Sequence, residues 1–176
     1  MKKTFSILFG ASLAGIVSTP QAANIGSQAP QLQIEHWVKG NPVDRAKADD
    51  KKIHIIEFWA TWCGPCRDSI PHLTKLQEKY NGKGVTVIGI TDEPKATVER
   101  FVRRQKKQME YTVAIEKGDT MSQAYMRAFG QTGIPATFVV DQQDRIVWVG
   151  HPKSGLDDVI RSEEHTSELQ SQPELV

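Results

Sequence analysis

Trp59-Ala60-Thr61-Trp62-Cys63-Gly64-Pro65-Cys66 contains both cysteines of a 176-residue chain. It stands where the apolar run Ile53-His54-Ile55-Ile56-Glu57-Phe58 gives way to a helical pattern. The run suits a buried central strand. Beyond it, Ile70, Leu73, Leu76 and Tyr80 recur three or four residues apart, which places them on one face of a helix from Cys66 to Tyr80. Pro71 lies inside that pattern, removes one backbone hydrogen bond and predicts a kink between the turn that carries the cysteines and the longer part that packs. Gly82 and Gly84 close the helix, and Val85 to Ile90 reads as a second buried strand. The cysteine pair thus falls at a strand-to-helix junction.

Outward from this centre the pattern continues. A second helix is expected from about Lys95 to Met109, with Val98, Phe101, Val102 and Met109 inward, followed by a short strand from Tyr111 to Ile115. Met121, Ala124, Tyr125, Ala128 and Phe129 mark a third amphipathic helix that Gly130 and Gly133 end. Ala136 to Val140 and Arg145 to Val149, joined across Asp141 to Asp144, predict an antiparallel hairpin, and a last helix starts near Leu156. Upstream, the turn-rich Ile25 to Pro30 leads into an edge strand through Leu32-Gln33-Ile34 and His36-Trp37, and the charged stretch Asp44 to Lys52 reads as a loop or single helical turn. Alternating strands and helices with a terminal hairpin give an α/β class: a central mixed sheet with helices on both faces.

One domain with a real core fits this length. The charge is nearly balanced, net +1, and points to no nucleic-acid partner. The first residues differ from the rest. Lys2 and Lys3 precede an apolar run from Phe5 to Val17 that Ser18, Thr19 and Pro20 break. A membrane-spanning helix needs about 17 to 25 apolar residues, so residues 1–23 read as an export signal cleaved near Ala22 or Ala23, with an uncleaved anchor as the alternative. The last residues differ too. Arg161 to Ser171 matches the conceptual translation of a widely used sequencing-library adapter, so residues 161–176 are expected to be a non-native tail that cuts the last helix short. A native polar helix starting at Ser162 is the alternative. The folded domain is then 24–160.

At a helix N-terminus, unpaired backbone N–H groups and the helix dipole favour an anion, so the Cys63 thiol is expected to ionise below the free value of about 8.5 and act as the attacking thiolate. Cys66, one turn further in, suits the resolving role, attacking Cys63 within a mixed disulfide. Three other readings stay open: a structural disulfide, a metal site and two unrelated buried thiols. Closing so short a loop constrains the unfolded chain little, which argues against a purely structural bridge. A zinc site needs two more ligands, and His36, His54, His72 and His151 are scattered without a second paired spacing. The basic run Arg100, Arg103, Arg104, Lys106 and Lys107 reads as a solvated helix face, with a docking patch as its alternative.

The segment Trp59 to Cys66 resembles the active-site segment of the thioredoxin superfamily. With the export signal and the Gly26 to Pro30 lead-in, the chain is most similar to the exported TlpA/ResA-like thiol-disulfide oxidoreductases, over about Ile25 to Ile160. A second matching element is Gly133-Ile134-Pro135-Ala136-Thr137-Phe138, and Pro71 matches the helix proline of the family. The resemblance implies a thioredoxin-like fold, a cis bond before Pro135 set against the redox pair, and exposed backbone at Ile134 that can pair with an extended substrate segment. It places Glu57 where thioredoxins carry a buried acid, usually aspartate. A buried carboxyl with a raised pKa could take the proton from Cys66. Trp62, Gly64 and Pro65 would line the surface that meets substrate, with Trp59 in the core. The implied activity is that of a periplasmic, monomeric protein-disulfide reductase, recharged by a membrane-embedded thiol donor. It needs no cofactor, because the cysteine pair stores the two electrons. Two other function classes remain: a peroxiredoxin-like peroxide reductase, whose usual P-x-x-x-T-x-x-C setting is absent, and a metal-carrying binding module on the same scaffold.

Overall fold

The computed structural model describes residues 23–46 and 52–171, with side chains through Thr166. The export-signal segment up to residue 22, positions 47–51 of the charged stretch and positions 172–176 lie outside the described residues. Six strands form one sheet in the order β1-β4-β3-β2-β5-β6. They are β1 (Ile34–Lys39), β2 (Ile53–Phe58), β3 (Val85–Thr91), β4 (Thr112–Glu116), β5 (Ala136–Val140) and β6 (Ile146–Gly150). Among the described residues three α-helices accompany them: α1 (Gly64–Lys79), α2 (Lys95–Gln105) and α3 (Leu156–Ser171).

β2 is central, parallel to β3 and antiparallel to β5, and every residue in it is buried. A strand covered on both faces cannot alternate apolar with polar, which is why its sequence runs nearly continuously apolar. Its side chains divide between two layers. Ile53, Ile55 and Trp59 pack with Ile70, Leu73 and Leu76 of α1, Val98 of α2, and Leu156 and Ile160 of α3. Ile56 and Phe58 pack on the other face with Met121, Tyr125 and Phe138, where the rings of Phe58 and Tyr125 each meet Phe138 edge-on. The mixed sheet with a helical layer on each face is the architecture that the pattern of elements predicted.

Two elements differ from the sequence expectation. The second helix stops at Gln105, because Lys106 adopts φ 47° and a 3₁₀ turn (Lys106–Gln108) takes over. Met109 is buried as expected, but from the segment after that turn. The third helix is a π-type segment (Ser122–Arg127), with the Ala128 N–H bonded to the Gln123 carbonyl at 3.2 Å. The buried Glu116 carboxylate accepts the N–H groups of Met121 (2.7 Å) and Ser122 (2.9 Å), fixing where this segment begins. Apolar spacing reports an inward face; it does not distinguish a wide turn from an α-helix. Pro71 lies within α1 without ending it. α3 runs through Ser171, as the Ser-Glu-Glu composition of its second half favours. No helix among the described residues is long and apolar enough to cross a membrane.

One glycine matters for the site. Gly89 of β3 stands in register with Glu57, and a Cβ there would come within 2.9 Å of Trp59 Nε1 and 3.2 Å of Tyr111 Cε2. Its lack of a side chain is what lets both rings lie against the strand.

Candidate active site

The chain leaves β2 at Phe58, makes a short turn and enters α1 with Cys63 as the N-cap residue, its backbone extended at φ −77° and ψ 107°. Pro65 occupies the first turn, where a missing N–H costs no helical hydrogen bond. Cys63 and Cys66 form a disulfide with Cα atoms 5.2 Å apart. Cys63 Sγ accepts the Cys66 N–H at 3.2 Å, so an orphan donor of the first helical turn is aimed at this sulfur. Cys66 is fully buried and Cys63 is 4% exposed, while Trp62 beside it is 71% exposed. Trp59 is in the core, stacked obliquely on Phe101 of α2 at 5.4 Å between ring centroids.

A segment 71 residues away in sequence completes the surroundings of the sulfur. The Ile134–Pro135 peptide bond is cis, and the Ile134 carbonyl oxygen lies 3.8 Å from Cys63 Sγ. β5 begins at the next residue, Ala136, which pairs with Phe58. The pairing of β5 with β2 therefore holds the proline loop against the start of α1. Gly64 is half-buried and Pro65 and Trp62 are exposed; the three adjoin Cys63 in the chain, and the Ile134 carbonyl approaches its sulfur from the proline loop.

Beneath the pair lies a polar cluster. Glu57 is fully buried and its two carboxylate oxygens have no hydrogen-bond partner among the described residues. Burial pushes its pKa well above the usual carboxylate range. In β2 it alternates with Ile55 and Trp59, which places it on the sheet face that α1 covers, the face where Cys66 is buried. Thr137 stands in register with it on β5, and the Thr137 Oγ1, Trp59 Nε1 and Tyr111 hydroxyl groups are likewise buried and without partners among the described residues. Tyr111 is held in its neutral form first by burial, to which an ionised Glu57 nearby would add. An unpaired buried carboxylate costs several kcal/mol in its ionised form, which favours a protonated Glu57 in the resting protein.

Sequence reading missed two contributors. Glu93 reaches back from the turn before α2 and accepts the Thr61 N–H at 2.6 Å and the Thr61 hydroxyl at 2.7 Å, bracing the loop before the cysteines. Charge-assisted bonds of this kind contribute about 1.5–3 kcal/mol each. Tyr111 was read only as the start of a strand. Neither carries a local signal, since both act across strands remote in sequence. The histidines stay apart: His72 pairs with Asp157 at 3.2 Å, His36 lies near Glu35, and His54 is buried in β2. Among the described residues no group of three or more His, Cys, Asp and Glu side chains is arranged to hold a metal ion.

Comparison with known proteins agrees with this geometry. The AhpC/TSA family model matches residues 25–149. The thiol-disulfide oxidoreductase ResA of Halalkalibacterium halodurans is 31% identical over 128 residues, covering 72% of this chain and 68% of ResA. Protein FixW of Rhizobium leguminosarum is 27% identical over 135 residues, covering 72% of this chain and 60% of FixW, so the chain spans less than two thirds of that relative. Among solved structures, a thiol:disulfide interchange protein of the thioredoxin family from Chlorobium tepidum TLS superposes with a TM-score of 0.66 at 28% identity, over 81% of this chain and 99% of that one. The fold is thus thioredoxin-like, and with its cysteine pair at the head of α1 the chain belongs to the AhpC/TSA family, among the ResA-like thiol-disulfide oxidoreductases.

Proposed function

We propose that this protein works outside the cytoplasm as a reductase of disulfides in other proteins. The observation that carries the reading is the setting of Cys63: its sulfur caps a helix N-terminus, receives the Cys66 N–H and lies beside the Ile134 carbonyl. In the reduced protein the Cys63 thiolate attacks one sulfur of a client disulfide. The client S–S bond breaks, its second sulfur leaves as thiolate, and Cys63 is joined to the client. Glu57 first releases its own proton to solvent, and the carboxylate so formed takes the proton of Cys66 as Cys66 attacks Cys63 Sγ; the Cys63–Cys66 disulfide forms and the client's first sulfur leaves as thiolate. Two electrons pass from the pair to the client. Trp62, Gly64, Pro65 and the cis peptide at Ile134 and Pro135 form the surface on which an extended client segment rests, its backbone pairing with that of Ile134.

A monomer suits a site open on one side for large clients, and a membrane-embedded dithiol donor would return the electrons. The basic, then apolar, segment of residues 1–23 supports export. The reducing direction is supported by the Gly64-Pro65 dipeptide between the cysteines, and it is testable by equilibrating the pair with glutathione. A midpoint near the reducing end of the known range, about −270 mV, is expected; one near about −120 mV would reassign the protein as an oxidant.

We also infer that near Ile160 native sequence gives way to a non-native tail, residues 161–176, which replaces the rest of the last helix. Among the described side chains of α3, Leu156 and Ile160 are the ones fully buried in the core, and from Arg161 through Thr166 none is. Sequencing of the genomic locus should show a different reading frame after that position; an uninterrupted frame carrying Arg161 to Ser171 would refute it.

A further inference from the structure

A groove of about 380 Å³ opens beside the redox pair, between the first turn of α1 and the outer face of α2. Thr61 and Arg67 line it on one side, and Thr97, Arg100, Phe101 and Arg104 on the other. Thr61 stands two residues before Cys63 and Arg67 directly follows Cys66, with the Arg67 N–H bonded to the Cys63 carbonyl at 3.1 Å. The groove therefore begins within two residues of the cysteine pair along the chain. Its far wall is fixed relative to that pair, because Phe101 packs on Trp59, the last residue before the active-site turn. A larger hollow, about 710 Å³, is at the other end of the sheet, around the first residues of β3 and β4, where Lys39 is already paired with Glu110 at 3.0 Å.

The charge of the groove is one-sided. Arg67, Arg100 and Arg104 are exposed, and among the described residues none of the three guanidinium groups is paired with a carboxylate. Glu99, the acid of α2, is occupied by Lys95 (4.0 Å) and Arg103 (3.9 Å). Glu93, which accepts both hydrogen bonds of Thr61, is not part of the lining and sets one negative charge beside Thr61 against the three arginines. Arg100 and Arg104 are one turn apart on the same helix face, where like charges repel and weaken the helix. The positive end of α1 adds to the same field. Three unneutralised cations around one hollow offer planar, forked donors suited to carboxylates.

We infer that this groove is a docking site for acidic polypeptide, so that preferred clients carry Asp or Glu residues flanking the cysteine to be reduced. The inference rests on the disulfide exchange proposed above and names the class of client it serves. A client segment laid along Ile134 with its disulfide at Cys63 places its neighbouring residues over Thr61 and Arg67, at the mouth of the groove. The arginines then steer acidic segments toward the sulfur and hold them there, and they repel basic ones.

The test uses three synthetic peptides of equal length, each with one disulfide, whose flanking residues are acidic, neutral or basic. Reduction by the pre-reduced full chain is followed at low and high salt. The acidic peptide is expected to react about tenfold faster than the basic one at low salt, with the ratio shrinking as salt is added. Arg100→Glu/Arg104→Glu should reverse that ratio, while the charge-matched Lys83→Glu/Lys117→Glu, away from the groove, should preserve it; circular dichroism and melting confirm that each variant is folded. Equal rates for acidic and basic peptides, or a preference that survives in the arginine variant, overturn the inference. A charge effect confined to oxidised glutathione and absent with peptides overturns it too, in favour of a small acidic disulfide. The neutral peptide separates the two levels: if wild-type protein fails to reduce it, the exchange chemistry itself is at fault, and not the groove.

Discussion

Cys63→Ser is expected to abolish reduction of insulin disulfides, with a loss of more than about a thousandfold, whereas Cys66→Ser should leave the first attack intact and accumulate a covalent adduct with the client. The difference follows from position. Cys63 caps α1 and receives the Cys66 N–H at 3.2 Å, so a negative sulfur is stabilised there, and a serine hydroxyl at the same place does not ionise near neutrality. Cys66 is fully buried and cannot meet a client directly, but it is placed one turn away from Cys63. Without it, the mixed disulfide has no internal nucleophile to resolve it and decays only as external thiol arrives. Non-reducing gel electrophoresis of Cys66→Ser after incubation with a disulfide client should show the adduct, and reductant should dissolve it. Full activity in Cys63→Ser, or an adduct that forms equally well in both variants, would sink the assignment of nucleophile and resolver.

Glu57→Gln should make the folded protein more stable at neutral pH and poorer at resolving mixed disulfides. Burial raises the folded-state pKa of Glu57, so the native protein keeps a proton that the unfolded chain has released. Between the unfolded value near 4.5 and the raised folded value, unfolding therefore releases a proton, and stability falls as pH rises, with a slope approaching about 1.4 kcal/mol per pH unit. Glutamine carries no such penalty. The two proteins should have similar stability below about pH 4, and the advantage of the variant should widen as pH increases. Urea denaturation of the oxidised forms across that range measures it, and parallel stability profiles would contradict the buried, unpaired state of the carboxyl. On the kinetic side, loss of the proton acceptor for Cys66 should slow resolution by about a hundredfold near neutrality, with the pH dependence of that step flattened. A variant that resolves at the wild-type rate at every pH would confine Glu57 to a structural role.

The sequence was most informative where physics is local. Period-two and continuous apolar runs located all six strands to within a few residues, because burial of a strand on both faces leaves few residue types available. The junction of β2 and α1 was equally legible: an apolar strand, a Cys-Gly-Pro-Cys step and a spaced apolar helix admit few other readings. It was less informative about the kind of helical turn. Met121 and Tyr125 point inward as read, and Met126, which the helical spacing left out, is buried beside them, because the backbone that carries them is a π-type segment anchored by Glu116, a residue from the preceding strand. Likewise α2 ends four residues before Met109, since the positive φ of Lys106 depends on where the chain must turn to enter β4.

What the residues alone determined is the identity of the reacting sulfurs and their place at the head of a helix, because both follow from neighbours within one helical turn. The tertiary structure decided what surrounds them. Pairing of β5 with β2 brought Ile134 to Cys63 across 71 positions, Glu93 reached Thr61 from another strand's end, Gly89 made room for Trp59 and Tyr111 over Glu57, and α2 turned two of its arginines toward Arg67. Contacts of that range are set by sheet order and layer packing, which depend on every strand at once and leave no mark in any single stretch of sequence.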